Sequence, residues 1–547
     1  MRIALAQINP IIGDIAGNTA KIVDFVDRAA AEGAELVAFP ELSVCGYPPR
    51  DLLLKPRFVE ENLKAVDAIA AHCTKIAALV GFVRANEHAV GRSLYNAAAL
   101  LADGKIAAVH LKTLLPTYDV FDETRYFEPG PPPRPLPLDG QRAGVTVCED
   151  LWDPDALGRQ LYAADPVGNL VQQGIDILIN ISASPYQLGK NALRRELLCR
   201  QARRMDKPIV YVNQVGGNDE LIFDGASCVV DREGRLIAQC QDFQEQLLVV
   251  DLAGGGQEPL GQVRQGMASL KAALELGLRD YVRKCGFSKV VLGLSGGIDS
   301  ALVATLAADA LGAENVTGVA MPSRFSSQHS ISDAQALAEH LKIRLELIPI
   351  EPMHHAYEQA LAKVFAGLTP DSTEENVQAR VRGATVMALS NKFGWLALAT
   401  GNKSELSTGY CTLYGDMCGG LSPIGDVPKT IVYELSRHIN AVAGYDRIPE
   451  GTLLKPPSAE LKPDQTDQDT LPPYDVLDAI LERYIEQEMN VTQIVAHGFD
   501  PQVVQRVVRM VDFSEYKRRQ AAPVLKVTSR AFGVGRRIPI AQRFHYT

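Results

Sequence analysis

Apolar positions in the first half of the chain fall into short continuous runs, separated by longer stretches with helical spacing. Arg2–Ile8, Glu35–Pro40, Ile76–Val83, Gly144–Cys148, Ile175–Ile181 and Pro208–Val212 are the runs, and each suits a strand buried on both faces. Ala16–Glu32 and Arg57–His72 have the pattern of amphipathic helices. Two hairpins are predicted: Asn96–Leu101 with Lys105–Leu111 around Ala102-Asp103-Gly104, and Ala226–Asp231 with Arg235–Gln239 around Arg232-Glu233-Gly234. A strand at Gln246–Leu252 runs into the glycine seam Ala253-Gly254-Gly255-Gly256, and a helix follows from about Gly266 to Cys285.

Beyond that helix the strands Val290–Leu294, Val316–Met321, Arg344–Ile350 and Trp395–Thr400 alternate with helical stretches. Such alternation predicts a doubly wound parallel sheet with ligands at the carboxyl ends of its strands. The chain therefore divides into a first domain at 1–252, a connecting segment at 253–285 and a second domain at 286–547. Gly401–Gly425, rich in glycine and polar residues, and Pro456–Pro473, rich in proline and acids, look like mobile loops.

With 547 residues, 46% hydrophobic and 22% charged, the chain reads as a soluble globular protein of several domains. A net charge of −10 argues against a general nucleic-acid or membrane-surface binder. No apolar run reaches membrane-spanning length, and Gln7 and Asn9 interrupt the N-terminus too early for a signal peptide. Nine cysteines without a Cys-x-x-Cys pair suggest reduced thiols in the cytoplasm.

The most informative word is Gly293-Leu294-Ser295-Gly296-Gly297-Ile298-Asp299-Ser300. It follows a buried strand and opens an alanine-rich helix. Backbone N–H groups at such a junction make a concave phosphate site. No Gly-Lys-Ser/Thr is present, so this is not a Walker loop; the plain structural alternative is a glycine turn before a packed helix. Ser-Gly-Gly-x-Asp-Ser resembles the signature of the PP-loop ATP pyrophosphatases, with their adenine nucleotide alpha hydrolase-like fold. The resemblance implies a site for the pyrophosphate that leaves when a substrate is adenylylated.

In the first half Glu41, Lys112 and Cys148 each stand at a strand end. A thiol nucleophile needs a base, and donors or a cation to hold the oxyanion. Taken singly, such a cysteine reads as a small core residue and the two charges as solvated ones. Phe39-Pro40-Glu41-Leu42, Leu111-Lys112-Thr113-Leu114-Leu115-Pro116 and Val147-Cys148-Glu149-Asp150 resemble the three motifs of the nitrilase superfamily of carbon–nitrogen hydrolases. That resemblance implies an α-β-β-α sandwich, with Glu41 as general base, Cys148 as nucleophile and Lys112 stabilising the tetrahedral intermediate. It also implies that Tyr118, Ser184 and Lys190 bind glutamine, although Lys190 also reads as an ordinary surface lysine.

In the second half, Ala399-Thr400-Gly401-Asn402-Lys403-Ser404-Glu405 ends a strand in a polar turn. Thr400 is placed to contact ATP, and Glu405 to join Asp299 in holding Mg²⁺, which on a polyphosphate needs only one or two protein carboxylates. Asp299 equally reads as a helix cap. Arg380 and Arg382 are two apart and cannot share a helix face, so at most one serves phosphate. Lys429 is expected to reach ATP phosphates. Together these words resemble the NAD⁺ synthetases, and the fused pair resembles their glutamine-dependent branch. The family implies deamido-NAD⁺ binding through Asn376, Glu405 and Lys517, and ATP binding through 293–300, Thr400 and Lys429. Thr412-Leu413-Tyr414-Gly415-Asp416 has Leu413 where ammonia-dependent relatives have Lys.

Ser514–Thr547 holds eight Lys or Arg against one Glu. A basic tail of this kind usually marks a solvated or interface segment. It is expected to serve subunit contacts in a homo-oligomer, apart from Lys517. The expected partners are small molecules: deamido-NAD⁺, ATP and L-glutamine, with no nucleic acid and no membrane. The rival readings are another PP-loop amidotransferase, a tRNA-modifying PP-loop enzyme, and a nucleotide-sensing or RNA-binding regulator. The first two families bring different glutaminase domains, or paired cysteines and a more basic surface. The acidic total disfavours the third.

Overall fold

The computed structural model describes residues 1–138, 140–152, 158–252, 260–458, 460–462 and 465–544. The seam at Ala253–Gly256 lies outside them. The chain forms two compact units, Met1–Ser269 and Leu270–Thr547.

The first unit contains β1 (Arg2–Gln7), β2 (Leu36–Ala38), β3 (Ala77–Ala85), β4 (Leu94–Ala102) and β5 (Lys105–Leu111). After these come β6 (Leu136–Leu138), β7 (Gln141–Val147), β8 (Ile177–Ser182) and β9 (Ile209–Asn213). The short ribbon β10 (Val215–Asn218) and β11 (Leu221–Asp224) precedes β12 (Cys228–Val230), β13 (Leu236–Gln239) and β14 (Gln246–Asp251). One six-stranded sheet runs β14-β1-β2-β3-β4-β5 and the other β13-β12-β9-β8-β7-β6.

The period-2 alternation of each strand divides its residues between two cores. In the first sheet Ala4, Val37, Val80 and Ala99 pack under the helices Ile15–Ala31 and Pro56–His72. Leu5, Leu36, Leu79 and Leu100 meet Val145, Ile179 and Val210 of the second sheet. The far face of the second sheet, through Leu178, Ile209 and Tyr211, is covered by the helices Pro166–Gln172 and Lys190–Met205. This is an α-β-β-α sandwich. Both faces of both sheets are covered, which explains why the strands read as continuous apolar runs.

The second unit has a four-stranded parallel sheet, made from β15 (Val290–Gly293), β16 (Val316–Ala320), β17 (Arg344–Leu347) and β18 (Leu396–Leu398) in the order β17-β16-β15-β18. Strand order reverses at β15, so the crevice beyond β15 and β18 is the topological switch point at which such sheets bind ligands. Helix Ser372–Phe393 covers one face through Val377, Val381 and Val386. Helix Ile298–Leu311 is buried almost all round, as its uniformly apolar sequence requires.

Two expectations need correction. Gly401–Gly425 is not an open loop: it contains helix Lys403–Thr408, and Leu406, Met417, Leu421, Ile424 and Val427 bury their side chains beside it. The basic tail is not a solvated arm. Val524, Leu525, Val527 and Phe532 are core residues, and Arg518, Lys526 and Arg536 are buried with them. Internal acceptors absorb these charges: Arg518 bonds Glu515 and the carbonyls of Leu406 and Ser407, and Lys526 bonds the carbonyls of Thr528 and Ser529. Among the described residues, no helix is long and apolar enough to cross a membrane.

Candidate active sites

Glu41, Lys112 and Cys148 come together in the first unit. Glu41 follows β2 in a turn pressed against Gly81 of β3; a Cβ on that glycine would stand 2.4 Å from the carbonyl oxygen of Pro40 and the nitrogen of Leu42. Lys112 follows β5. Cys148 ends β7 and opens the 3-10 turn Cys148–Leu151 with φ +44°, in the left-handed region that non-glycine residues rarely occupy. Asp150 locks these segments to each other. Its Oδ1 accepts the N–H groups of Thr113 (3.1 Å) and Leu114 (2.8 Å), and its Oδ2 accepts that of Val147 at 3.0 Å.

Lys112 is wholly buried, with Nζ 2.7 Å from Glu41 Oε1 and 2.8 Å from Glu123 Oε2. Burial disfavours its ammonium, but Glu123 and Glu41 outweigh that and hold its pKa well above the ordinary value. Glu123, confined by burial beside Glu41 and relieved in part by Lys112, is pushed up to about 7. Tyr47 donates to it at 2.9 Å. Burial, and next the charge of Glu41, drive the Cys148 thiol well above its usual value, against the pull of Lys112. The resting sulfur is therefore protonated, and attack requires a base rather than a preformed thiolate.

Glu149, the residue after the nucleophile, takes hydrogen bonds from Tyr118, one of the expected glutamine-binding groups. Tyr118 donates to both carboxylate oxygens of Glu149 at 3.0 Å, and Tyr162 donates to Oε1 at 2.9 Å. Burial raises the Glu149 carboxyl, against the pull of Lys112, the two tyrosine hydroxyls and Lys190. Lys190 Nζ donates to the Pro185 carbonyl at 3.1 Å and lies 5.6 Å from the Trp152 ring centroid, so it is not a free surface lysine. Ser184 is buried, its N–H donating to Asn213 Oδ1 at 2.9 Å.

In the second unit a cavity of about 280 Å³ opens at the carboxyl ends of β15 and β18. Gly293, Leu294, Ser295, Gly297, Ile298, Asp299 and Ser300 line it, as do Thr400, Glu405 and Lys429. Gly296 is not in the wall. It has φ +77°, and a Cβ there would lie 2.3 Å from the Ser330 carbonyl oxygen, so the loop depends on glycine for both conformation and space. Asp299 does not cap its helix, which starts after Gly297. Its Oδ1 accepts Asn402 Nδ2 at 2.9 Å and its Oδ2 pairs with Lys429. Lys429 also lies 3.4 Å from Glu405 Oε1. Burial, then the neighbouring Asp299, push Glu405 up to about 8 despite Lys429.

Asn376 and Lys517 stand outside the cavity wall, around 409–416. Asn376 Oδ1 accepts the Thr412 hydroxyl at 2.8 Å, and Lys517 donates to the carbonyls of Gly409 and Cys411, each at 2.7 Å. Leu413 packs its side chain against the apolar cluster of the C-terminal helices. Of the arginine pair, Arg382 lines the cavity, while Arg380 is exposed and donates to the Leu413 carbonyl. Sequence reasoning missed Asn96, Glu123, Glu149 and Tyr162 in one site, and Arg382 as the chosen arginine, Lys455, Glu460 and Asp467 in the other. Glu149 stands inside the Val147–Asp150 word and Arg382 in the weighed pair, but no local word distinguishes the others from the many other polar residues.

Two architectures with separate chemistry define a hydrolase joined to a nucleotide-using synthetase. Residues 2–258 match the carbon-nitrogen hydrolase family and residues 270–521 match the NAD synthase family. The glutamine-dependent NAD(+) synthetase of Synechocystis is 50% identical over 99% of this chain and 99% of its own length. That of Thermotoga maritima is 45% identical over 100% and 99%. A solved glutamine-dependent NAD⁺ synthetase from Acinetobacter baumannii, in complex with adenosine diphosphate, is 42% identical with TM-score 0.79, covering 98% of each chain. Another from Cytophaga hutchinsonii is 23% identical with TM-score 0.85 over 99% and 98%, and shows the common fold. The chain belongs to the family of glutamine-dependent NAD(+) synthetases, which are ligases.

Proposed function

We propose that the chain converts deamido-NAD⁺ to NAD⁺, the last step of NAD⁺ biosynthesis, drawing nitrogen from glutamine and energy from ATP. The observation that carries this reading is the presence of two complete polar clusters in one chain: Glu41–Lys112–Cys148 in the first unit and Asp299–Glu405–Lys429 beside the phosphate loop in the second. In this reading residues 1–252 form the glutaminase and 286–547 the synthetase.

Glu41 takes the thiol proton as Cys148 attacks the side-chain amide of glutamine. Lys112 balances the oxyanion charge. Collapse of the tetrahedral intermediate releases ammonia, carrying the proton returned by Glu41, and leaves a thioester that water cleaves to glutamate. Tyr118, Ser184 and Lys190 hold the amino acid. In the second unit the carboxylate of deamido-NAD⁺ attacks the α-phosphate of ATP, pyrophosphate departs against the 293–300 loop, and ammonia displaces AMP. Thr400 and Lys429 bind ATP, while Asn376, Glu405 and Lys517 bind the dinucleotide. Only neutral ammonia is nucleophilic, which favours a protected transfer from one domain to the other over release to water.

Asp299 and Glu405 also suit a hard divalent cation. Two partly buried carboxylates, the charge of Asp299 adding to the rise at Glu405, stand next to a phosphate loop and match the one or two that Mg²⁺ takes alongside polyphosphate and water. Bound there, Mg²⁺ would neutralise charge on the phosphates. Among the described residues, no cluster of three or more acidic, His or Cys ligands provides an independent metal centre. Free thiols at Cys45, Cys73, Cys148, Cys228 and Cys240 support a reducing, cytoplasmic setting.

The direct test supplies deamido-NAD⁺, ATP, Mg²⁺ and glutamine to the purified protein. NAD⁺, glutamate, AMP and pyrophosphate should appear together, and a mixture yielding neither glutamate nor AMP would overturn the reading.

A further inference from the structure

Asn96 stands in β4 opposite Val83 of β3, and its side chain, 1% exposed, lies among the charged groups of the first site. Its Nδ2 donates to Glu41 Oε1 at 2.7 Å and to Glu123 Oε2 at 3.5 Å. Its own carbonyl accepts the Lys112 N–H at 2.9 Å. Its side-chain Oδ1 is buried with no hydrogen-bond partner. Turning the amide over would press Oδ1 against two carboxylates, so charge fixes its orientation. An orphaned buried carbonyl oxygen is destabilising, whereas a leucine of similar size would leave none. What Nδ2 does must therefore account for the residue.

We propose that Asn96 is the positioning residue of the general base and selects which oxygen of Glu41 accepts the Cys148 proton. Each carboxylate oxygen has room for about two donors. Oε1 takes both of its own, from Asn96 at 2.7 Å and Lys112 at 2.7 Å. Oε2 takes a single one, the Ala183 N–H at 3.0 Å. Oε2 is thus the oxygen with capacity left for the thiol proton. When it becomes O–H, Oε1 remains a carbonyl acceptor for the same two donors, so the frame survives both protonation states. Without Asn96, Oε1 regains a vacant lone pair and the carboxyl is free to present either oxygen. This inference rests on the glutaminase reading above.

The experiment compares full-length Asn96→Leu and Asn96→Ala with the parent in glutamine hydrolysis across pH, and in synthesis driven by ammonium. The expected result is a fall in kcat of about 100-fold, the low end of what a well-placed acid–base group supplies, with KM within about two-fold. The acid limb of the kcat profile should move to higher pH, because a donor favouring the carboxylate form of Glu41 is gone. Ammonium-driven synthesis should be unchanged. Should the leucine variant fail to fold, the smaller alanine variant, judged by its melting curve, carries the same expectation. A folded variant with parental kcat, or one whose kcat falls without movement of the acid limb, overturns the proposal. Glu41→Gln and Cys148→Ala run alongside: glutamine hydrolysis surviving in these would instead overturn the glutaminase reading itself.

Discussion

Lys429 pairs with Asp299 across 130 positions of sequence, joining the first turn of helix Lys429–Ala443 to the first turn of Ile298–Leu311 at the mouth of the phosphate cavity. Two helix starts, each suited to anions, are held together by one partly buried ion pair. The pair separates the roles of the two units. Asp299→Ala should abolish NAD⁺ formation from both glutamine and ammonium while sparing part of the glutaminase activity. Cys148→Ala should do the converse, losing glutamine-driven synthesis and keeping ammonium-driven synthesis. Parallel assays of glutamate and NAD⁺ read both; equal loss of both activities in either variant would undo the two-site assignment.

Gly81 tests how firmly the base is held. A methyl group there meets main-chain atoms on either side of Glu41 at 2.4 Å, which no rotamer change can relieve. Gly81→Ala should cost about 1–3 kcal/mol of stability by overpacking and lower glutamine hydrolysis at least tenfold. Chemical melting and glutaminase assays measure the two effects, and ammonium-driven synthesis serves as the control.

The folded state holds Glu405 near 8, above its ordinary 4.5, chiefly by burial and then by Asp299. A raised folded pKa means that the protonated form favours folding. This contribution is complete below about 4.5 and is lost as pH rises through about 8. Glu405→Gln should therefore gain melting temperature relative to the parent as pH increases across that window. Thermal melts at several pH values check this, and a constant difference would contradict it.

Lys403 is buried with Nζ 3.1 Å from Asp426 and 2.8 Å from Glu486, and also bonds the Thr528 hydroxyl at 2.6 Å. Lys403→Met would leave Asp426 and Glu486 without their cation, although Val527, Thr528 and Ser529 still donate to them, and removing one partner from such a cluster typically costs about 3–5 kcal/mol. Urea titration should show that loss in the second unit, with glutamine hydrolysis little changed.

Much of this was legible in the chain because the chemistry sits in contiguous words at strand ends. The phosphate loop, Glu41, Lys112 and Cys148 each follow an apolar run, and buried parallel strands announce themselves by continuous hydrophobicity. Asn96 and Glu123 were not legible: one lies inside a strand that reads as apolar, the other in a loop among ordinary acids. Only tertiary packing aims Asn96 at Glu41 and Glu123 at Lys112. The C-terminal tail was misread because charge counting assumes solvent, whereas Arg518 and Lys526 find carbonyl acceptors inside the unit. The Gly401–Gly425 stretch misled in the same way, since its glycines serve close packing: Gly419 and Gly420 abut Ala399, Ala397 and Leu396 of the adjoining strand.

The helix bearing Glu405 is finished by late-arriving partners: Ser514 bonds the Thr408 carbonyl, Arg518 those of Leu406 and Ser407, and Asp426 beneath it is occupied by Val527 and Thr528. These partners lie more than 100 positions downstream of the groups they satisfy. The wall of the phosphate cavity that carries Glu405 is thus closed from afar, and a substitution near 514–528 should be felt at that carboxylate although it touches nothing in the cavity.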